Sequence, residues 1–380
     1  MDFSWSEHAI DLHRAAADFG RSLNSGLEER DADATFSLDG WRACAEFGVL
    51  GLAITDSFGG MGEDLPTVAY ALEGLGYGCR DGGLLFALGA QLWSVQIPIL
   101  LHGSEEQKKR LLPALVEGRL LGAHAVTEPE AGSDAFSLRT TAVRDGAGYV
   151  LEGHKTFTTN APVADVFVVL ATMDRALGAR GVTAFLVERD AAGLSVDEPD
   201  EKMGLRTSPM GDVLLDGCRV SADQMLGPEG AGAAVFGAAM EWERSYILAP
   251  ALGAMQRQLE QCIGYARSRR QFGRPIGKNQ AIADTIADMQ LRLETARLLT
   301  YRTASLKQAG KRLTVEPSQV KLHIGEAWVQ NSLDALQIHG GSGYMRELGL
   351  ERELRDAVAG RIYSGTSQIQ RVIIASYLGL

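Results

Sequence analysis

The chain has 380 residues, with 37 basic and 48 acidic side chains and a formal net charge of −11. Hydrophobic residues make up 46% and charged residues 22%, which is typical of a globular protein with substantial cores. The acidic balance argues against nucleic acid as a partner, because proteins that bind nucleic acids usually present a basic face.

The N-terminus, the hydropathy and the cysteines favour a cytoplasmic protein. The opening MDFSWSEHAIDLHRAA lacks the basic and apolar regions of a secretory signal, and no apolar run is expected to approach the length needed to cross a membrane. There is no CxxC pair among the four cysteines, which are Cys44, Cys79, Cys218 and Cys262. The seven histidines lack metal-ligand spacing. We therefore expect reduced thiols, no metal site and no membrane span.

Three regions differ in composition and apolar periodicity, which predicts three domains. Residues 1–122 contain amphipathic stretches separated by glycine-rich turns such as SFGGMGEDLP, a pattern typical of helices. Residues 123–229 contain short runs rich in Val, Thr, Phe and Leu with turn signals between them, which indicates strands. The predicted strands are YVLEG, TFTT, VFVVLAT, VTAFLVE and VLLDGCRV. Helical periodicity returns in residues 230–380.

The last region has the clearest helical pattern. Apolar residues recur every three or four positions along one predicted helix, which gives it a single apolar face. This stripe consists of Ile282, Ile286, Met289, Leu293 and Ala296. Similar patterns predict long helices over residues 247–266 and 318–336, and long helices joined by shorter links favour a helical bundle.

Three segments have the composition of a ligand site. AHAVTEPEAGSDAFSLRTTA (123–142) offers several hydroxyl and backbone groups, and GHKTFTTN (153–160) adds an aromatic ring beside threonines. RSRRQFGRPIGKNQA (267–281) is a basic cluster suited to a pyrophosphate. Taken singly, the first segment is also typical of a polar turn, the second of an ordinary strand and the third of a solvated helix end. No GxGxxG follows a strand and no P-loop is present, so neither of those nucleotide sites is predicted.

Five segments considered together indicate a protein family more specifically than any one segment does. They are TEPEAGSD, GHKTFTTN, RRQFGRPIGKNQA, QIHGGSGYMRE and RDAVAGRIYSGTSQIQR. Their order and spacing closely resemble the acyl-CoA dehydrogenase family of flavoproteins, and the resemblance spans essentially the whole chain. The alternation of helical, strand-rich and helical regions agrees with it.

This resemblance implies an α+β fold with an N-terminal helical domain, a central β-barrel-like domain and a C-terminal four-helix bundle. It also implies FAD as cofactor and a homotetramer in which a neighbouring subunit helps to bind it. The residues that it places against the isoalloxazine ring, or near the phosphates in the case of the serine, are Val126, Thr127, Phe157, Thr159 and Ser133. The residues that it places at the adenosine pyrophosphate across the subunit boundary are Arg269, Phe272, Gln280, Gln337 and Gly341. Thr366 and Gln368 complete the implied site.

The segment IYSGTSQIQR (362–371) departs from the family at Ser364, where most members have the glutamate that removes the α-proton of an acyl thioester. A serine hydroxyl is not basic enough for that step, although its backbone N–H can still hold the thioester carbonyl as in the family. In a minority of the family, isovaleryl-CoA dehydrogenase among them, the glutamate lies on a helix in a setting similar to AAMEWERSYILAP. Glu243 matches that position, whereas Glu241 is about 200° further round the helix.

We therefore expect Glu243 to be the base, Ser364 to hold the carbonyl and Arg244 to contact the substrate. The alternative is that Glu243 is a surface carboxylate paired with an arginine such as Arg244. In that case the chain would have lost its catalytic base.

Three further segments resemble one subgroup of the family, the L-prolyl-carrier-protein dehydrogenases of pyrrole natural-product pathways. These segments are MEWERSYI, MQRQLEQ and YSGTSQIQ. This subgroup implies an aminoacyl thioester on a phosphopantetheine arm, oxidised with an electron-transferring flavoprotein or oxygen as acceptor. Three alternatives remain open at this point. They are an ordinary short- or branched-chain acyl-CoA dehydrogenase, a flavin oxidase or monooxygenase, and a non-catalytic flavin-binding relative.

Overall fold

A computed structural model describes residues 4–380, and the structural statements below refer to these residues. The first part is helical, and five of its helices have an N-terminus capped by a side chain. Ser6, Ser37, Asp64, Asp81 and Ser104 each accept a hydrogen bond from a backbone N–H in the first turn of the helix that follows. The helices are α1 (Glu7–Ser22), α2 (Leu27–Asp33), α3 (Leu38–Phe47), α4 (Leu65–Gly78), α5 (Gly82–Gln91), α6 (Ile97–His102) and α7 (Glu105–Val116).

The central part is an eight-stranded sheet. Its strands are β1 (Gly122–Ala125), β2 (Thr141–Asp145), β3 (Gly148–Thr159), β4 (Val166–Thr172), β5 (Val182–Glu188), β6 (Leu194–Val196), β7 (Met210–Ser221) and β8 (Met225–Leu226). The strand order is β6-β7-β3-β2-β4-β5-β8, with β1 paired parallel to β4. The predicted YVLEG and TFTT strands are one continuous strand, β3, whose pairing with β7 shifts register between Lys155 and Thr158.

The last part consists of long helices with one small hairpin. Its elements are α8 (Gly232–Tyr246), α9 (Ala249–Ser268), β9 (Arg270–Gln271), β10 (Arg274–Pro275), α10 (Gln280–Gln308), α11 (Glu316–His339), α12 (Gly341–Tyr344), α13 (Leu350–Ala359) and α14 (Ser367–Tyr377). Met289, Leu293 and Ala296 of the predicted stripe are buried in α10. We keep the domain divisions at 122/123 and 229/230 as a proposal.

Strand β4 shows how the sheet is attached to the helices. All seven of its residues are buried, because one face lies in the core of the sheet and the other against helices. Phe167 and Val169 belong to the sheet core, whereas Val168 and Leu170 pack with Ile99 of α6. Removing such side chains from water supplies the main stabilisation of the contact, at about 1.5–3 kcal/mol for each large one.

The expectation that no apolar run approaches the length of a membrane span was wrong. The segment Gly82–His102 is 21 residues long and apolar enough to cross a membrane by length and composition. It comprises α5, a π-helical turn at Leu92–Gln96 and α6. In the fold, 72% of its most apolar window is buried, so its apolar character is that of a core helix.

Candidate active site

The carboxylate of Glu243 lies where three elements meet. Glu243 is on α8 and is only 8% exposed, which rules out the alternative of a surface carboxylate. Its Oε2 accepts a hydrogen bond from the Ser94 hydroxyl on the π-helical turn, and its Oε1 accepts one from the Ser364 hydroxyl in the turn before α14. No salt bridge joins Glu243 to Arg244 among residues 4–380.

The surroundings of Glu243 pull its pKa in opposite directions. Burial raises the pKa above the ordinary value, because a buried carboxylate loses hydration. The hydroxyls of Ser364 and Ser94 and the positive charges of Arg244 and Lys321 lower it, and the net shift is upward. A raised pKa suits a carboxylate that must accept a proton from carbon and later release it.

The other glutamate of the segment has a different environment. Glu241 lies on the same helix but points to α10, where it pairs with Lys307. It is partly exposed, whereas Glu243 is buried. Glu243 is therefore the carboxylate that α8 directs to the Ser364 turn.

Ser364 has a φ of +54° and Gly365 a φ of +85°, so the turn runs through two successive left-handed residues. This conformation is costly for a serine, and such strain concentrates at functional sites. The Ser364 carbonyl accepts hydrogen bonds from Arg244 Nε and Gln370 Nε2, each at 3.1 Å, which hold the turn in place. Within residues 4–380 the Ser364 N–H donates to no recorded acceptor, so it is available to a ligand oxygen.

The residues predicted to meet the isoalloxazine ring form one group. The backbone N–H of Thr156 donates to the Thr127 carbonyl at 2.8 Å, and Lys155 Nζ donates to the Val126 carbonyl at 3.2 Å. These bonds join the loop after β1 to β3, and so bring Val126 and Thr127 to Phe157 and Thr159 on β3.

A buried ion pair supports this junction. Lys155 Nζ lies 2.7 Å from Glu128 Oε1, and neither side chain is more than 4% exposed. Burial lowers the pKa of Lys155 to about 8, opposed by the negative charge of Glu128. Glu128 Oε1 also accepts the Thr140 N–H at 2.9 Å, so the pair closes both ends of the 128–140 loop. Ser133 lies exposed within that loop.

The residues predicted to act across the subunit boundary form a second, exposed group. Phe272 is 97% exposed at the tip of the β9–β10 hairpin, and Arg269 at the end of α9 makes no ion pair among residues 4–380. Tyr265 stacks on His339 at 4.4 Å, which brings the end of α9 beside the end of α11. Gln337 and Gly341 are exposed at that end of α11, and Gln280 is exposed at the start of α10.

Thr366 and Gln368 have different positions at the start of α14. The Thr366 side chain accepts a hydrogen bond from the Ile369 N–H at 3.2 Å and so caps the helix, while Gln368 is exposed. The cap fixes the Ser364 turn to the helix. Hydrogen bonding to a ligand by either residue stays a prediction.

Two residues close to Glu243 were not predicted from the sequence. Ser94 is one of the few polar residues in the apolar segment Gly82–His102, and a polar side chain in such a segment is a usable signal. Lys321 on α11 is fully buried, its Nζ has no hydrogen-bond partner among the described residues, and it lies 5.7 Å from the Tyr363 ring centroid. Burial lowers its pKa to about 7.

The sequence matches three family descriptions in chain order. They are the acyl-CoA dehydrogenase N-terminal domain over residues 6–119, the middle domain over 123–218 and the C-terminal domain over 230–379. The chain belongs to the acyl-CoA dehydrogenase family. The predicted α+β fold of that family, with a sheet domain between two helical ones, is confirmed.

Similar proteins support the narrower resemblance. The chain is 45% identical to an L-prolyl-[peptidyl-carrier protein] dehydrogenase of Pseudomonas fluorescens over 346 residues, which is 91% of each chain. A prolyl acyl carrier protein oxidase, AnaB, has a solved structure with 48% identity and a TM-score of 0.98, covering 99% of this chain and 100% of its own. PigA with FAD and proline has 38% identity and a TM-score of 0.98, with full coverage of both chains.

Proposed function

We propose that this protein is an FAD-dependent dehydrogenase of a prolyl thioester carried on a peptidyl or acyl carrier protein. The observation that carries the proposal is the buried Glu243 carboxylate, held by Ser94 and Ser364 beside a free backbone N–H. A buried base next to an oxyanion donor suits removal of a weakly acidic proton from the α-carbon of a thioester. The likeness to proteins named for prolyl carrier substrates supports the choice of acyl group.

The residues predicted to meet the isoalloxazine ring fit FAD. Phe157 is 63% exposed, has a φ of +53° and lies at the register shift of β3, so the irregularity turns an aromatic ring outward. Val126, Thr127 and Thr159 are partly buried and supply apolar and hydroxyl groups suited to a flat heteroaromatic ring. When bound, the flavin accepts the hydride that leaves the β-carbon of the substrate.

The chemistry of the chain's own residues follows from their positions. Glu243 takes the α-proton onto a carboxylate oxygen, and the electron pair of that C–H bond forms the new double bond. The negative charge that develops on the thioester oxygen is stabilised by the Ser364 N–H. The helices around Glu243 exclude water, which strengthens these electrostatic effects. Arg244 keeps the Ser364 turn in position and retains further N–H groups for the substrate.

The test is a comparison of thioesters under anaerobic conditions. Prolyl-carrier protein, prolyl-CoA and a short branched acyl-CoA are mixed at equal concentration with the FAD-loaded protein, and flavin reduction is followed by absorbance. We expect the prolyl-carrier protein to reduce the flavin fastest. Preference for the branched acyl-CoA would make the protein an ordinary acyl-CoA dehydrogenase, and no reduction by any thioester would contradict the proposed activity.

The electron acceptor is a second part of the same experiment. AnaB is named an oxidase and the Pseudomonas relative a dehydrogenase, so the acceptor of this chain is tested directly. Admission of air after anaerobic reduction distinguishes them. Reoxidation by air on the timescale of turnover indicates oxygen as acceptor. Slow reoxidation argues against oxygen and agrees with an electron-transferring flavoprotein as acceptor.

We further propose a cytoplasmic homotetramer whose subunits share the FAD site. Large apolar side chains are exposed along the C-terminal helices, where a second copy of the chain would cover them. They include Leu291, Leu298, Leu333, Tyr344 and Val372. The exposed Arg269 and Phe272 then reach the cofactor of the neighbouring subunit. Light scattering after size exclusion measures the oligomeric state, and a stable monomer with tightly bound FAD would contradict the shared site.

Replacing Arg269 with alanine is expected to weaken FAD binding by about 1.5–3 kcal/mol, because a charge-assisted hydrogen bond to phosphate is lost. FAD retention is measured by titration of the deflavinated protein. Arg270→Ala is the matched control, since Arg270 is adjacent and also exposed but its guanidinium donates to the Gly273 carbonyl. Equal FAD affinity of the two variants would remove Arg269 from the site.

A further inference from the structure

We propose that Ser94 is a positioning residue for Glu243, which it holds from the side opposite to Ser364. The inference rests on the proposed function, because it assigns a role within the same reaction. The two serines come from separate elements and donate to different oxygens of one carboxylate. Together they determine the plane in which the carboxylate meets the substrate.

The local structure explains how a serine reaches this position. Ser94 lies in the π-helical turn Leu92–Gln96, where one extra residue per turn changes the direction of the side chains. Such turns are rare and often occur at functional sites. Leu92, Trp93 and Val95 beside it are buried and apolar, so they offer the hydroxyl no side-chain acceptor. The Glu243 carboxylate is the partner that satisfies it.

Two donors still leave the carboxylate able to act as a base. Each carboxylate oxygen has two lone pairs, and one donor on each leaves one lone pair per oxygen for the incoming proton. Rotation of the carboxyl group would break one or both hydrogen bonds. Because a misplacement of about 1 Å can lower a rate by about 10²-fold, this restraint has a direct effect on catalysis.

Ser94 also affects how readily Glu243 is protonated. The charged and titratable groups around the carboxylate are Arg244 on the same helix, Lys321 on α11 and Tyr363 in the turn before α14. Against the upward effect of burial, Arg244, Lys321 and the two serine hydroxyls lower the pKa. Loss of the Ser94 hydroxyl therefore raises the pKa of Glu243. The acid limb of the pH–rate profile should move to higher pH.

Two matched pairs of variants isolate the hydroxyl. Ser94→Ala is compared with the wild type and lacks the hydroxyl. Ser94→Val is compared with Ser94→Thr and has a methyl group in place of the hydroxyl. Single-turnover flavin reduction by prolyl-carrier protein is measured against pH and substrate concentration. We expect Ser94→Ala and Ser94→Val to be slower than their hydroxyl-bearing partners by roughly 10- to 100-fold, with little change in substrate Kd. Ser94→Thr should recover rate relative to Ser94→Val.

A readout independent of turnover accompanies the kinetics. The infrared band of the protonated Glu243 carboxyl, identified by its loss in Glu243→Gln, gives the midpoint of protonation in the resting protein. This midpoint should rise in Ser94→Ala and stay unchanged in Ser332→Ala, which removes a buried hydroxyl that is bonded to Gln258.

The outcomes separate this inference from the proposed function. If the wild type reduces its flavin and Ser94→Ala matches it in rate, pH profile and infrared midpoint, Ser94 does not position the base. If the wild type does not react with any thioester but the midpoint rises in Ser94→Ala, the contact is real and the proposed function is wrong. A lower rate in all three Ser94 variants with an unchanged midpoint would indicate only a packing role and would also overturn the proposal.

Discussion

Glu243→Gln is expected to bind substrate with nearly unchanged affinity and to reduce its flavin roughly 10²- to 10⁴-fold more slowly than the wild type. The amide keeps the shape of the side chain, its oxygen still accepts one serine hydroxyl, and its NH2 group can donate to the oxygen of the other. It lacks the basicity needed to take a proton from the α-carbon. Stopped-flow absorbance of the flavin under anaerobic conditions measures the rate, and its dependence on substrate concentration gives the affinity.

The matched control lies two residues away on the same helix. Glu241→Gln makes the same chemical change to a carboxylate that pairs with Lys307 instead of contacting Ser364. We expect its rate of flavin reduction to stay close to that of the wild type. The assignment of the base is falsified if Glu243→Gln reduces the flavin at the wild-type rate.

Lys155→Met is expected to lower the free energy of unfolding by about 3–5 kcal/mol, because it leaves the buried carboxylate of Glu128 without its partner. Methionine preserves much of the packing of the lysine stem, so loss of charge is the main change. The Val126 carbonyl loses its lysine donor at the same time. We therefore expect weaker FAD binding as well, since Val126 and Thr127 are among the residues predicted to meet the isoalloxazine ring. Urea unfolding of the apoprotein measures the free energy of unfolding, and FAD titration measures the affinity separately.

Two further variants test the cause of that loss. Lys155→Met combined with Glu128→Gln should be more stable than Lys155→Met alone, because no buried charge is left unpaired. Arg110→Met, which breaks a pair with Glu188 whose side chains are 50% and 41% exposed, should change stability by less than about 1 kcal/mol. Equal effects of Lys155→Met and Arg110→Met would contradict the buried-pair explanation.

Much of the fold follows from local patterns in the sequence. The period of apolar residues in 282–296 predicts a helix, and the structure has α10 there with Met289 and Leu293 buried. The Val- and Phe-rich run at 166–172 predicts a strand, and it is β4. Both predictions succeed because helix and strand periods are properties of neighbouring residues.

Part of the candidate site could also be predicted without coordinates. A serine at position 364 cannot remove a proton from carbon, which directs attention to another carboxylate, and the family resemblance points to Glu243. The period of the helix separates Glu243 from Glu241, and the structure places them on different sides of α8. These steps need only the chemistry of single side chains and the geometry of one helix.

The contacts between distant segments could not be predicted in the same way. Ser94 and Glu243 are 149 positions apart, and a π-helical turn whose presence depends on packing directs the hydroxyl to the carboxylate. Glu128 and Lys155 look like ordinary polar residues until the sheet buries both. The apolar segment Gly82–His102 meets the criteria of a membrane span until the surrounding helices and sheet cover it.

By itself, then, the sequence determines the order of helical and strand-rich regions, the loss of a carboxylate at Ser364 and the candidate base at Glu243. The tertiary structure decides which of these groups are buried, which hydroxyls hold the base and which backbone N–H stays free. The physical reason is that local periodicity depends on residues a few positions apart, whereas burial and distance depend on segments that meet only in the folded chain. Burial and distance in turn set the strength of every charge and hydrogen bond in the site.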